Sequence, residues 1–169
     1  MEALESRMED HEGTWTTPDN ISYTGKTIDN HFDSEHIKGE FFKVKYANGD
    51  IYEGPLLESR RTGFGVCKFA NGSSYHGLWF EDRRHGMGRM FVPDEKIGGT
   101  AEYHGPWRHD KKHGFGSETF PDGSTYEGWF FQDLWHGQGM RYFANGDVYT
   151  GDFKNGRMWG EGTYDYHDG

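Results

Sequence analysis

The chain has 169 residues and a formal net charge of −10; 33% of its residues are hydrophobic, 17% are aromatic and 26 are glycine. The acidic balance disfavours nucleic acid and anionic membrane as default partners, and the single cysteine, Cys67, excludes an internal disulfide. The sequence has neither a run of about 18 apolar residues nor the apolar core of a signal peptide, so we expect a soluble cytoplasmic protein. Its mean hydropathy of −0.99, combined with periodic aromatic residues, predicts a thin fold with an aromatic core.

The first 20 residues form an acidic segment without a strand pattern. Its charged residues include Glu2, Glu5, Glu9, Asp10 and Glu12, against the single arginine Arg7. We predict a solvated, disordered arm over residues 1–20. The alternative is a short helix in which Leu4 and Met8 dock on the first repeat or on a partner.

A repeated pattern organises the chain from residue 21 onward. Its clearest copy, residues 126–148, begins Tyr-Glu-Gly-Trp-Phe, reaches Gly-Gln-Gly after a loop and closes on Asn-Gly. The skeleton recurs in five copies, and an insertion at 93–100 lengthens the second of them. The copies span residues 52–74, 75–102, 103–125, 126–148 and 149–169. We interpret a degenerate copy at 21–51 as an N-terminal cap, because terminal repeats are commonly atypical.

Each copy predicts a β-hairpin. In the first strand, the tyrosine, the glycine and the aromatic residue of Tyr-x-Gly-x-aromatic occupy every second position and therefore share one face. The closing Asn-Gly or Asp-Gly strongly predicts a hairpin turn. The glycines let aromatic rings lie flat over the backbone. Stacking of neighbouring hairpins buries the apolar face that a single hairpin would leave exposed. We therefore predict an all-β fold, an elongated single-layer antiparallel sheet of stacked hairpins that forms an open repeat array. Its aromatic groove comprises Tyr52, Tyr75, Trp79, Tyr103, Trp107, Tyr126, Phe130, Tyr149 and Phe153.

The skeleton resembles the MORN repeat (membrane occupation and recognition nexus), which reads Tyr-x-Gly-x-Trp/Phe, a polar loop, Gly-x-Gly, an aromatic residue and Asn/Asp-Gly. The resemblance covers residues 52–169 closely and 21–49 loosely, and Leu56 departs from it where an aromatic residue is expected. It implies a curved sheet with an aromatic-lined groove, in a protein that serves as a scaffold or as a module of a larger protein. Family members occur in radial-spoke and other ciliary proteins, junctional membrane-tethering proteins, plant phosphoinositide kinases and a lysine methyltransferase.

In three copies, the loop before Gly-x-Gly carries two adjacent cations at equivalent positions. We name the edge of the predicted sheet that these loops form the rim. The cations are Arg60, Arg61, Arg83, Arg84, Lys111 and Lys112. A basic rim on an acidic protein would suit an acidic partner or a phosphoinositide head group. The alternative is a solvated turn, because most of this charge is offset by Glu58, Glu81, Asp82 and Asp110.

In the last two copies the rim becomes apolar, with Leu134-Trp135 and then Met158-Trp159. Trp129 and Phe131 lie on the outer strand face, opposite the groove, which a single-layer sheet leaves exposed. Exposed apolar patches commonly mark interaction sites, and aromatic residues commonly dominate their binding energy. These residues therefore predict a partner-binding surface. The alternative is that the rim folds back over the end of the stack and that the N-terminal arm covers the outer face.

Three histidines, His85, His113 and His136, precede Gly-x-Gly in successive copies. Equivalent residues of adjacent hairpins lie about 9–10 Å apart, whereas zinc holds a nitrogen ligand at about 2 Å, so we interpret them as loop residues and expect no metal. The sequence shows no nucleophile elbow, phosphate loop or carboxylate pair, and its Gly-x-Gly pairs lack the third glycine and the helix of a dinucleotide site. We expect no catalytic residue and no cofactor.

These observations favour a non-enzymatic protein–protein interaction scaffold. By resemblance, the expected setting is a cilium or flagellum axoneme or another cytoskeletal assembly, whose proteins would be the partners. One alternative is a peripheral membrane adaptor that binds phosphoinositides, which the net charge disfavours. Another is a regulatory module of a larger enzyme. Open sheet edges at the two ends of the stack would also permit homo-oligomers.

Overall fold

The computed structural model describes residues 11–16, 21–27 and 38–167, and the regular elements among them are all β-strands. The strands before the five copies are β1 (His11–Thr16), β2 (Ser22–Thr27) and β3 (Lys38–Lys45). The copies contribute β4 (Ile51–Leu57), β5 (Arg60–Arg61), β6 (Gly63–Lys68), β7 (Ser74–Phe80), β8 (Arg83–Pro93), β9 (Thr100–Arg108), β10 (Lys111–Lys112), β11 (Gly114–Thr119), β12 (Thr125–Phe131), β13 (Leu134–Tyr142), β14 (Val148–Lys154) and β15 (Arg157–Asp165).

The strands form one antiparallel sheet in which neighbours in sequence are also neighbours in space. The main path runs from β1 to β15, while the two-residue strands β5 and β10 pair with β4 and β9. Short hairpin connections let the sheet grow as a row of repeated units. The predicted all-β, open, single-layer array of stacked hairpins is confirmed. None of the described residues belongs to a helix that is long and apolar enough to cross a membrane.

Glycines face one another across neighbouring strands. In the second copy, Gly77 pairs with Gly88 of its own hairpin and with Gly65 of the preceding one. The Tyr75 ring covers Gly77 and Gly88. A Cβ atom on Gly77 would lie 2.6 Å from the Tyr75 hydroxyl oxygen and 2.5 Å from the Gly88 Cα atom. Any side chain at this position would collide with backbone, so the repeat requires glycine here.

The first glycine of Gly-x-Gly has a different role. Gly86 has a φ of 70°, in the left-handed region that favours glycine, and the strand register shifts opposite it, between Gly77 and Trp79. This irregularity is a β-bulge, which inserts extra residues into the returning strand and increases its twist. The equivalent glycines of the other copies also have positive φ: Gly63, Gly114, Gly137 and Gly160.

The hairpins have two kinds of turn. At the Asn-Gly end, Gly72 has positive φ, and its N–H donates to the Phe69 carbonyl oxygen at 3.0 Å, as in a three-residue loop closed by a left-handed glycine. At the opposite end, Glu81 and Asp82 have φ values of 48° and 66°, as a type I′ two-residue turn requires. The returning strand therefore begins at Arg83, directly after the turn.

The N-terminal end differs from the prediction. The expectation of a disordered arm over residues 1–20 is wrong for His11–Thr16, which form β1 and pair along their whole length with β2. Gly13 lies opposite Gly25, as the repeat glycines do, so pairing with the otherwise open edge of β2 accounts for the strand. Residues 1–10 and 17–20, and with them the alternative helix at Leu4 and Met8, lie outside the described residues.

Asp147 fastens β15, the last strand of the described sheet, to the turn between β13 and β14. Its Oδ1 accepts a hydrogen bond from the His167 N–H at 2.8 Å. Its Oδ2 accepts from the Asn145 side-chain amide and from the Tyr164 hydroxyl, both at 2.9 Å. These donors, the His167 N–H foremost, lower the pKa of Asp147 below its ordinary value.

We expect Asp147→Asn to remove part of the acid sensitivity of the protein. A carboxyl group with a depressed folded pKa contributes stability that is complete above its unfolded pKa of about 3.9 and is lost as pH falls through the lower folded value. The wild type should therefore lose more stability than Asp147→Asn on going from neutral to acid pH, measured by urea unfolding. Asp165→Asn, which changes an exposed carboxylate at the end of β15, is the control. Equal acid sensitivity of wild type and Asp147→Asn would contradict this role.

Candidate functional site

The inner face of the sheet carries the aromatic groove, and all nine of its predicted residues are buried. Each repeat tyrosine donates its hydroxyl hydrogen to the carbonyl oxygen three residues further on, as Tyr75 does to Leu78 at 3.0 Å and Tyr103 to Pro106 at 2.9 Å. Leu56 stands at the aromatic position of the first copy and is equally buried. An aliphatic residue therefore fills this place in the core as an aromatic one does elsewhere.

The rings of successive hairpins interlock. Trp107 packs edge-to-face against Tyr75 of the preceding hairpin, with ring centroids 5.5 Å apart, and against Tyr103 of its own at 5.1 Å. Its Nε1 donates to the Gly88 carbonyl oxygen at 3.3 Å. Burial raises the pKa of both tyrosines well above its usual value, so their hydroxyls stay protonated and remain donors. The inner face is thus a packed core on one side of a single sheet.

The rim residues do not share one face, because the type I′ turn places each pair within a strand. Arg83 lies opposite Phe80, whereas Arg84 lies opposite the buried Trp79. Adjacent strand residues point to opposite faces. The first members of the pairs are therefore on the outer face: Arg60, Arg83, Lys111 and Leu134. The second members are on the inner face: Arg61, Arg84, Lys112 and Trp135. The prediction of a single basic rim is wrong.

The inner arginines are enclosed by contacts within the protein. The Arg84 guanidinium lies 4.4 Å from the Trp107 ring centroid. Its Nε donates to Asp110 Oδ1 and its Nη2 to the Asp110 carbonyl oxygen, both at 3.1 Å. Arg61 repeats the arrangement with Asp82, and its guanidinium lies 4.0 Å from the Trp79 ring centroid. Each turn aspartate therefore neutralises the inner arginine of the preceding hairpin.

Trp135 also packs on the inner face. Its ring stacks on Tyr126, with centroids 4.5 Å apart and planes inclined by 11°. Its Nε1 donates to Glu118 Oε2 at 3.0 Å, while Glu118 Oε1 pairs with Lys112 Nζ. Trp135 is partly buried against the core. This packing gives it a structural role, and its contact with a partner stays a prediction.

The last copy is shifted by one residue from the predicted alignment. Lys154 lies opposite Arg157, and Phe153 lies opposite Met158. The residues equivalent to the rim pair are therefore Arg157 and Met158, not Met158 and Trp159. Trp159 occupies the position of the histidines and is 61% exposed, with Lys154 Nζ 4.9 Å from its ring centroid. Met158 and Trp159 are both exposed, but they lie on different faces of the last strand.

The outer face carries a band of apolar side chains that crosses the hairpins, which we name the outer stripe. In its first row, residues of neighbouring hairpins lie directly opposite one another: Phe41 and Pro55, Phe64 and Leu78, Met87 and Pro106, and Phe115 and Trp129. Its second row consists of Leu57, Phe80, Phe131 and Leu134, all exposed. The polar pair Gln138 and Asp152 follows at the fifth copy. Three predicted partner-binding residues, Trp129, Phe131 and Leu134, lie in this stripe.

Sequence reasoning missed part of the stripe. Phe64, Met87 and Phe115 are the middle residues of Gly-x-Gly in the first three copies, and each is more than half exposed. The sequence does contain a signal for these residues, because a large apolar residue recurs between the two glycines of Gly-x-Gly in each of the first three copies. Since the second glycine faces inward beneath the tyrosine ring, its neighbour has to face outward.

The three histidines lie among the outer aromatic rings. Phe131 lies between His113 and His136, at ring-centroid distances of 5.5 and 5.8 Å, and His85 lies 5.8 Å from Phe80. Within the described part of the chain, no three His, Cys, Asp or Glu residues form a group that could hold a metal ion. The histidines border the second row of the outer stripe.

Comparison with protein-family models matches the MORN repeat at residues 52–74, 75–94, 103–125, 126–148 and 149–169. A comparison with curated proteins found no match. The MORN repeat is a non-catalytic module that generally serves in interactions with proteins or membranes. Its five consecutive matches cover most of the chain and coincide with the hairpins of the sheet, so this chain belongs to the MORN-repeat family.

Proposed function

We propose that this protein is a non-enzymatic scaffold that holds partner proteins on its outer stripe. The observation that carries the proposal is the exposure of the stripe: Phe64 is 62% exposed, Trp129 52% and Phe131 50%. Contiguous apolar patches of this kind on soluble proteins commonly mark interaction sites. Large aromatic side chains also contribute a large share of the binding energy when a partner covers them.

The inner face is less suited to a partner. Its rings are buried by one another, and the Arg61 and Arg84 guanidinium groups cover Trp79 and Trp107. A partner there would find little apolar surface to remove from water. The edge strands β1 and β15 offer a further contact, since pairing of two copies at these edges would lengthen the scaffold.

The proposed setting is a cilium or flagellum axoneme or another cytoskeletal assembly in the cytoplasm. It rests on the resemblance to MORN proteins of radial spokes and other ciliary structures. The shape of the sheet supports this setting, because one apolar band across several repeats can present the same kind of contact over a long distance. Such a geometry suits a protein that spaces or joins components of a filamentous assembly.

We expect Phe115→Thr/Trp129→Thr to abolish partner capture while leaving the fold intact. The two rings lie directly opposite each other on the outer face, with centroids 6.1 Å apart, and threonine preserves strand propensity. The measurement is affinity capture from ciliated cells with quantitative proteomics, and circular dichroism checks the fold.

The matched control is Tyr142→Thr, an exposed aromatic residue outside the stripe. Cytoskeletal proteins that are captured by the wild type and the control, and lost with the double variant, would support the proposal. Capture of the same proteins by all three would show that the outer stripe is not the binding surface.

A second candidate function is a peripheral membrane adaptor. Arg60 and Arg83 are exposed beside the apolar stripe, a combination that also suits an anionic membrane. The net charge of −10 opposes such binding, so we expect no sedimentation with phosphoinositide-containing vesicles at physiological salt. Sedimentation that Arg83→Glu abolishes would favour the adaptor.

A further inference from the structure

The chain contains four Asn-Gly sequences, in which asparagine is chemically vulnerable. The backbone nitrogen of the residue after an asparagine can attack the side-chain amide, and glycine offers this nitrogen without a side chain to hinder it. Asparagine is accordingly among the thermolabile residues of proteins. The four sequences are Asn48-Gly49, Asn71-Gly72, Asn145-Gly146 and Asn155-Gly156. Because glycine follows in all four, only their surroundings can distinguish them.

Three of the asparagines are held by hydrogen bonds of their side chains. In each of them the side-chain oxygen accepts from the N–H group two residues further on, as in an Asx turn: Asp50 at 3.1 Å, Ser73 at 3.0 Å and Asp147 at 3.1 Å. The side-chain amide of Asn48 also donates to the Asp50 carboxylate at 2.9 Å, and that of Asn145 makes the equivalent contact. Asn71 accepts a second hydrogen bond from the Ser73 hydroxyl at 2.6 Å. Each side chain must therefore break two hydrogen bonds before its amide can turn toward the backbone.

Asn155 lies at the opposite end of its hairpin. It is the first residue of the type I′ turn between β14 and β15, where its φ is 52°, and it is exposed. Among the residues that the structure describes, none forms a hydrogen bond or an ion pair with the Asn155 side chain. Its amide can therefore turn toward the Gly156 nitrogen without losing a contact.

The turn that contains Asn155 also lacks a side-chain contact that its counterparts have. In the three preceding copies the second turn residue is an aspartate whose Oδ1 accepts a backbone N–H of the preceding hairpin: Asp82, Asp110 and Asp133. The last copy has Gly156 at this position, and its N–H donates to the Trp135 carbonyl oxygen at 2.9 Å. The glycine N–H groups of the other three Asn-Gly sequences are hydrogen-bonded as well, each at 3.0 Å. The four sites therefore differ in the restraint of the asparagine side chain and not in that of the glycine.

We infer that Asn155 is a site of spontaneous deamidation, at which the folded protein converts an amide into a carboxylate without an enzyme. The Gly156 nitrogen, having lost its proton to hydroxide, attacks Asn155 Cγ. The Cγ–Nδ2 bond breaks, and the nitrogen takes a proton from water and leaves as ammonia, which gives a cyclic imide. Water then opens the imide. Cleavage at Cγ yields aspartate, and cleavage at the main-chain carbonyl carbon yields isoaspartate, in which the backbone runs through the side chain.

The isoaspartate product does not fit the last hairpin. A type I′ hairpin has two residues between its strands, and isoaspartate adds a methylene group to the backbone of this turn. The two pairs that close the hairpin lose their register as a result: Lys154 with Arg157, and Phe153 with Met158. The modification therefore loosens β15, the strand that carries Met158 and Trp159.

The rate of conversion at each Asn-Gly sequence tests the site. The full chain is incubated at mildly alkaline pH, folded in buffer and unfolded in guanidinium chloride, and peptide mapping by mass spectrometry follows each asparagine. In the folded protein we expect Asn155 to convert on the order of tenfold faster than the other three, because their side chains first have to break two hydrogen bonds. In guanidinium chloride the four rates should converge, since nothing then holds the other side chains.

Asn155→Gln is the matched control. Gln132 occupies the same turn position in the fourth copy, with a φ of 49°, so glutamine is compatible with this turn. Its longer side chain would have to form a larger ring, which closes more slowly. We expect position 155 of this variant to stay unconverted while the other three asparagines keep their wild-type rates.

Hydrogen exchange measures the effect on the hairpin. Aged wild-type protein is separated by anion exchange, and its isoaspartate form is compared with Asn155→Asp, which has the same charge and a normal backbone. We expect faster amide exchange in β14 and β15 of the isoaspartate form only, because only this form lengthens the turn.

Two results would overturn the assignment of the site. One is equal conversion of all four asparagines in the folded protein. The other is a folded Asn155 that stays intact while the unfolded one converts, which would show that the hydrogen bond from Gly156 to Trp135 protects the turn. Equal hydrogen exchange in the isoaspartate form and in Asn155→Asp would overturn the loosening of β15. None of these measurements involves the outer stripe, so they leave the proposed scaffold function to its own test.

Discussion

Replacing Trp107 by alanine is expected to lower the free energy of unfolding by about 4 kcal/mol. The indole is buried, packs between Tyr75 and Tyr103, and donates to the Gly88 carbonyl oxygen. Its removal leaves a cavity between two hairpins, deprives Arg84 of the ring beneath it and leaves a backbone acceptor without its indole donor. All three effects destabilise the same interface.

The matched substitution is Trp129→Ala on the outer face. Trp129 is half exposed, so its truncation should change the free energy of unfolding by less than about 1 kcal/mol. Urea unfolding followed by circular dichroism measures both variants against the wild type. Similar losses for the two tryptophans would show that the outer face is packed as a second core, contrary to the structure.

Replacing Gly77 by alanine is expected to destabilise the sheet by about 3 kcal/mol or more. The new methyl group would lie 2.6 Å from the Tyr75 hydroxyl oxygen and 2.5 Å from the Gly88 Cα atom. The tyrosine could shift only by giving up its hydrogen bond to the Leu78 carbonyl oxygen, and the Gly88 backbone cannot shift without opening the ladder. The collision would therefore separate the two strands of the hairpin.

Gly98→Asn is the control for this prediction. Gly98 has a φ of 72°, and a Cβ atom at this position would meet no other group within 4 Å. Asparagine tolerates the left-handed region better than most residues. We expect a loss of about 1 kcal/mol, at the low end of the cost of a left-handed non-glycine residue. Thermal unfolding of the two variants separates steric collision from backbone strain. A larger loss for Gly98→Asn would contradict the assigned role of the Gly77–Gly88 contact.

The fold could be predicted because its determinants are local and repeated. Tyr75, Gly77 and Trp79 recur at a period of two within each copy, so one strand face must carry the rings and the glycines that make room for them. The replacement of an aromatic residue by Leu56 did not disturb this prediction, since the position requires an apolar side chain and not a particular ring. The strand β1 could not be predicted in the same way. Gly13 and Trp15 are a weak signal, and the open edge of β2 decides that the segment pairs.

The candidate site could be predicted only in part. Trp129 and Phe131 follow from strand alternation, and so would Phe115 have done, whereas Leu134 was assigned to the rim. The assignment of Arg84 and Trp135 to an exposed rim was wrong because it treated them as loop residues. The type I′ turn at Glu81 and Asp82 contains no glycine, so its two-residue length is hidden in the sequence. Because the turn has only two residues, the rim pair that follows it already belongs to a strand. Strand alternation then places the side chain of the second residue of each pair on the inner face of the sheet.

The repeat, the all-β class and the aromatic inner face follow from the sequence alone, because each depends on residue spacing within about 23 residues. Which cations are paired within the protein and which rim residues face outward depends instead on contacts between hairpins. Asp110 reaches the arginine of the preceding hairpin, and Glu118 joins Lys112 to Trp135. Such contacts depend on how neighbouring hairpins are registered against each other, and that register is set by bulges, turn lengths and packing across the whole sheet.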